Sequence, residues 1–126
     1  MKENRRLPES ELDIMLVVWG SEGGITAPAI LERLDRSLTA SALHSYLKRL
    51  EEKGFLACVK EGKTNRYTPL VSREEYQRSE GRSILQKLYG GSPSRFAAAL
   101  YDGALVTREE VDALQDLLDQ LKEEYR

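Results

Sequence analysis

Ser41, Ser45 and Lys48, with Arg49 beside them, share one side of a helical pattern whose other side is Leu43, Leu47 and Leu50. At about 100° per residue the leucines form a buried stripe and the polar group faces water. Hydroxyl, ammonium and guanidinium groups on one exposed helix face can donate hydrogen bonds to base edges and to phosphates together. Thr39 opens this helix, and Ala42 and His44 lie on its flanks. Lys60, Lys63 and Arg66 follow shortly after and suit contacts to a neighbouring phosphate backbone. Any solvated helix can display a Lys, Arg and Ser face, so the pattern has to be weighed with its surroundings.

Bond-making chemistry has little to work with. His44 and Cys58 are the only histidine and the only cysteine, and no disulfide can form within the chain. Neither CxxC nor HxxxH spacing occurs, so no metal site is expected. No Gly-rich phosphate loop, paired-carboxylate cleft or nucleophile with its base is present, so neither an enzyme nor a cofactor is expected. Cys58 alternates with Leu56 and Lys60 in a strand-like run and is expected to pack as a small hydrophobe.

The net charge of −2 over 126 residues argues against a polyanionic partner until its distribution is considered. Residues 39–72 hold six bases and three acids, whereas residues 1–38 hold five bases and seven acids. Residues 73–126 hold eight bases and eleven acids. A net positive balance is therefore confined to the helix described above and the segment after it, the footprint expected of a nucleic-acid contact. No apolar run approaches the roughly 18 residues that span a bilayer. The charged start leads into no apolar segment, so no signal peptide or membrane insertion is expected and the cytoplasm is the expected location.

The elements that must position these groups are short. Glu11–Trp19 reads as a first helix, with Pro8 in its first turn and Gly20 after it. Gly23-Gly24 breaks the chain, and Thr26 caps a second helix carrying Ile30, Leu31 and Leu34. Thr39 caps the third, which runs to Lys53 before Gly54. Leu56–Lys60 and Asn65–Thr68 then read as a β-hairpin with a three- to five-residue loop. Ser72 and Glu75 form a capping box that opens a fourth helix, which ends at Gly90-Gly91. Ser92-Pro93 opens a fifth, ending near Gly103. Thr107 and Glu110 form a second capping box, before a sixth helix with Val111, Leu114, Leu118, Leu121 and Tyr125.

Three helices followed by a hairpin make a winged helix-turn-helix, with the third helix as reading element and the hairpin as wing. The expected fold is mainly α with a small β-hairpin. Residues 1–71 form the winged-helix DNA-binding domain and residues 72–126 an α-helical dimerisation domain. The later helices carry more apolar surface than so short a segment can bury alone. Leu85, Leu88, Tyr89, Leu114, Leu118 and Leu121 are therefore the expected dimerisation residues, giving a homodimer on double-stranded DNA. Two other readings stay open. One is a winged-helix regulator with a small-ligand site near Tyr89, Phe96 and Tyr101; the other is a winged-helix protein-interaction module that binds no DNA.

Glu11-Leu12-Asp13-Ile14-Met15 followed by Trp19, and Leu43-x-Ser45-x-Leu47-x-Arg49-Leu50-x-x-Lys53-Gly54, occur in an order that carries a resemblance. Tyr67 and Lys87-Leu88-Tyr89-Gly90-Gly91 extend it over nearly the full length. The chain resembles the BlaI/MecI-like penicillinase-repressor family of winged-helix transcriptional repressors. The resemblance implies a homodimer on a dyad-symmetric operator, acting as beta-lactamase and methicillin-resistance repressors do. In the penicillin-responsive members a sensor-protease pathway cleaves the repressor in its dimerisation region. Ala99-Leu100 stands here at the position of their Asn-Phe cleavage pair, so that mode of inactivation is not implied. Ser41, Ala42 and His44 replace longer side chains near the start of the reading helix, which implies a different operator. The copper-responsive branch has C-terminal cysteine pairs that this chain lacks.

Overall fold

The computed structural model describes residues 6–101 and 106–125. Helix α1 spans Glu9–Trp19, strand β1 Ile25–Thr26, helix α2 Ala27–Arg33 and helix α3 Ala40–Glu52. Strands β2 (Leu56–Glu61) and β3 (Thr64–Pro69) follow, then helices α4 (Arg73–Tyr89), α5 (Pro93–Tyr101) and α6 (Arg108–Glu124). Pro8 is the N-cap of α1 rather than a first-turn residue, with extended backbone at ψ 155°.

The caps follow from local chemistry. Thr26 Oγ1 accepts from the Ala29 N–H at 3.4 Å and Thr39 Oγ1 from the Ala42 N–H at 3.0 Å. Ser72 and Glu75 satisfy each other's backbone N–H groups at 3.0 and 3.3 Å, the reciprocal pattern of a capping box.

The β part is a three-stranded antiparallel sheet in the order β1-β3-β2, not a lone hairpin. Ile25 pairs with Tyr67 and Thr26 with Arg66. This pairing requires Gly24, whose φ is +91° and where an added Cβ would lie 3.0 Å from Thr68 Cγ2. Strands β2 and β3 pair from Leu56↔Pro69 to Glu61↔Thr64, which leaves a two-residue turn, Gly62-Lys63, in place of the expected longer loop. Gly62 takes φ +61°, as tight primed hairpin turns demand.

The core joins α1 (Ile14, Met15, Val18), α2 (Ile30), α3 (Leu43, Leu47, Leu50) and the sheet (Ile25, Leu56, Tyr67), with Phe55 beneath them. It also includes Tyr76 from the first turn of α4. The Tyr76 ring lies 5.6 Å from Trp19 and 5.8 Å from Phe55, and its hydroxyl accepts from the Leu7 N–H at 2.9 Å. Burial pushes the Tyr76 hydroxyl above its ordinary pKa, more than the Leu7 hydrogen bond pulls it down. Trp19 Nε1 donates to the Val71 carbonyl at 2.8 Å, and Arg6 pairs with Glu80. The first compact unit accordingly runs to Gly81, ten residues past the boundary expected at residue 71.

The second unit begins at Arg82. There α4 ends at Gly90-Gly91, where the Gly91 N–H donates to the Leu85 carbonyl at 2.9 Å. Ser92 Oγ accepts from the Arg95 N–H at 3.2 Å, and the Tyr89 and Phe96 rings pack 5.2 Å apart. Thr107 caps α6 through the Glu110 N–H at 3.2 Å. The expected end of the fifth helix near Gly103 lies outside the described residues.

Candidate nucleic-acid interface

Helix α3 is held by its leucines: Leu43 and Leu50 are 0 % exposed and Leu47 1 %. That leaves Ser41, His44, Ser45, Lys48 and Arg49 on the exposed side and Ala42 partly covered at the helix start. Arg49 lies with its guanidinium carbon 5.5 Å from the Tyr46 ring centre, which holds the side chain along the helix. Ser45 Oγ donates to the Ser41 carbonyl at 3.3 Å, so its hydroxyl is tied to the backbone until something displaces that bond. Thr39, expected at the interface, spends its hydroxyl on the cap of α3.

The wing bases differ among themselves. Lys60 and Lys63 are exposed, with Lys63 in the turn itself. Arg66 is partly buried, pairs with Glu61 at 3.1 Å and reaches the Gly24 carbonyl at 3.5 Å. Its charge is therefore largely committed to the wing and the start of β1.

Between α3 and the wing runs a crevice of about 340 Å³ lined by His44, Lys63, Thr64, Asn65, Tyr67 and the Thr26–Pro28 segment. The structure thus brings His44 and Lys63 together. It adds Thr26, Thr64 and Asn65, which carry no charge and which no sequence pattern marked as contact residues. The pairing of β1 with β3 places Thr26 there, and only knowledge of that pairing could have found it. Burial pushes the Tyr67 hydroxyl above its ordinary pKa, and the Cys58 thiol beside it acts in the same direction.

Cys58 is exposed, contrary to the expectation that it packs as a small hydrophobe. Only Leu56, at the start of β2, reaches the core, and the rest of the strand projects as the wing. No cluster of three or more potential metal ligands occurs among the described residues.

In the second unit, Leu114, Leu118 and Leu121 of α6 are 46, 52 and 39 % exposed and Leu88 of α4 is 70 % exposed. Leu85 and Tyr89 are partly covered, and Tyr89 packs on Phe96. The Tyr101 side chain, also named for a ligand site, lies outside the described residues. No helix among the described residues is long and apolar enough to cross a membrane.

Three helices, a short first strand and a paired wing define a winged helix-turn-helix protein. The family described as Penicillinase repressor matches residues 7–120. The penicillinase repressor of Bacillus licheniformis is 27 % identical over 124 residues, covering 97 % of this chain and 96 % of that one. The solution structure of the DNA-binding domain of the repressor BlaI has a TM-score of 0.52 at 28 % identity, covering 60 % of this chain and 94 % of that one. The monomeric form of Bacillus licheniformis BlaI in complex with the blaP half-operator has a TM-score of 0.51 at 28 % identity, with the same coverage. The chain belongs to the penicillinase repressor family, whose members are DNA-binding transcriptional repressors rather than enzymes.

Proposed function

We propose that this protein represses transcription as a homodimer on a dyad-symmetric operator, each protomer reading one half-site with α3 and bracing it with the wing. The observation that carries the reading is the placement of charge. The positive segment of the chain, residues 39–72, folds into one helix face and one adjoining wing. In this reading Ser41, Ala42, His44 and Ser45 meet base edges. Lys48, Arg49, Lys60 and Lys63 meet phosphates or guanine acceptors, and Arg66 stiffens the wing. The complex of the BlaI monomer with a half-operator supports one protomer per half-site.

The dimer is supported by α6. Val111, Leu114, Leu117, Leu118 and Leu121 are 39–52 % exposed, an apolar stripe that a second copy would cover. Two linked half-site contacts multiply affinity by roughly 10²–10⁴ over one. Footprinting the full chain on the DNA upstream of its own gene, with sedimentation of the same preparation, tests both parts. A protected palindrome and a dimer are expected. A monomer, or protection without sequence preference, would overturn the reading.

A further inference from the structure

Glu11 is the one buried charged residue among the described residues, at 2 % exposure. Its Oε1 accepts from Lys53 Nζ at 2.5 Å, and Lys53 is the C-cap of α3. A second tie reaches the turn that launches α3. There Arg36 pairs with Asp13 at 2.8 Å, lies 3.9 Å from Glu9 and donates to Ser10 Oγ at 2.6 Å. All of these partners belong to the first half of α1, Glu9–Asp13. Thus α3 is fastened to one short acidic segment both at its C-cap and through the turn before it.

Stability alone does not account for an ion pair whose carboxylate is buried and whose ammonium is partly buried. Well-packed apolar groups of similar volume often hold a fold as firmly or better, because two charges must be stripped of water to form the pair. What the pair adds is direction. The leucine stripe of α3 is attracted to the core without a preferred angle, since apolar burial is non-directional. A hydrogen-bonded charge pair at its end resists sliding and rotation. Base readout requires that placement, because side chains must be held within roughly 0.5 Å of productive geometry.

We propose that the acidic first turns of α1, with Glu11 on Lys53 and Asp13 on Arg36, set the pose of α3 and so determine how well the protein discriminates its operator. These are positioning residues, acting through α3 rather than on DNA. The proposal rests on α3 being the reading helix.

The test compares two duplexes of equal length, the segment protected by the wild-type protein and a scrambled version, each titrated over a range of salt. Two variants are used. Glu11→Leu with Lys53→Met exchanges the pair for apolar groups, and Arg36→Met cuts the tie at a partly exposed site. The affinity ratio between the duplexes is expected to fall about tenfold in each, the size of one misplaced base-pair contact. Affinity for scrambled DNA and its salt slope stay at the wild-type value, because no phosphate contact is lost. A ratio unchanged in both variants overturns the proposal, as does an equal loss on both duplexes. If the double variant does not fold, Arg36→Met decides alone. A wild-type protein that does not discriminate would sink the operator reading and this inference with it; discrimination lost only in the variants separates the two.

Discussion

Helices α3 and α6 carry the same message in sequence and meet opposite fates. Both are capped by threonine, and both repeat leucine at spacings of three and four. In α3 the leucines are at most 1 % exposed, because α1, α2 and the sheet already surround them. In α6 Leu114, Leu118 and Leu121 are 39–52 % exposed, and none of its residues is buried. Periodicity shows that a helix has an apolar face. Whether that face is covered from within the chain depends on how much other chain folds around it.

The comparison breaks most visibly under truncation of a leucine. Leu47→Ala should lower the unfolding free energy by about 2–5 kcal/mol, as cavities in filled cores do. The shift in urea midpoint should not depend on protein concentration. Leu118→Ala should shift the midpoint in a concentration-dependent way, the mark of a residue whose cover comes from a second copy. Equal, concentration-independent losses at both sites would mean that α6 is packed within its own chain.

Leu118→Asp sharpens the same contrast. It should give monomers in sedimentation and weaken operator binding at least about tenfold, while the winged-helix unit stays folded. A chain ending at Gly81 should behave alike. A chain ending at Ser72 should be less stable than one ending at Gly81, because it loses the Tyr76 ring from the core.

Two smaller effects separate residues within the wing and the helix caps. Lys63→Ala should make the slope of log K against log salt shallower by about 0.9, one phosphate contact. Arg66→Ala should change it less, since Arg66 is already paired with Glu61. Thr39→Ala should cost about 1 kcal/mol in thermal or urea unfolding by removing the cap on α3.

The parts of this fold that could be read from sequence depend on neighbours a few residues apart. Thr26, Thr39, Ser72 and Thr107 cap the helices they were expected to cap, because each bonds a backbone N–H three residues on. The leucine stripe of α3 and the glycine stop of α4 are of the same kind. What escaped depends on distant pairing. Strand β1 is only Ile25–Thr26 and has no pattern of its own; it exists because β3 lies beside it. Tyr76 follows a capping box that opens a new helix, so it read as the start of the second region, whereas its ring closes the first core. Cys58 alternates correctly with its neighbours, but alternation cannot show that the sheet outgrows the core beneath it. The basic residues of the interface were legible through charge, while Thr26, Thr64 and Asn65 were not legible as interface residues because the crevice they line is assembled from three separate segments.

Gly24 carries a consequence for genetics. A side chain there meets Thr68 and must also adopt a positive φ, so even the smallest replacement, alanine, disturbs the junction of β1 with β3. In a saturation library scored by silencing of a reporter, alleles at codon 24 should fail across the whole substitution table. They would look like lesions in a contact residue. Measuring their cellular abundance alongside reporter output would tell the two apart: Gly24 alleles should lose protein level and silencing together, whereas Lys48 or Arg49 alleles should lose silencing at normal abundance.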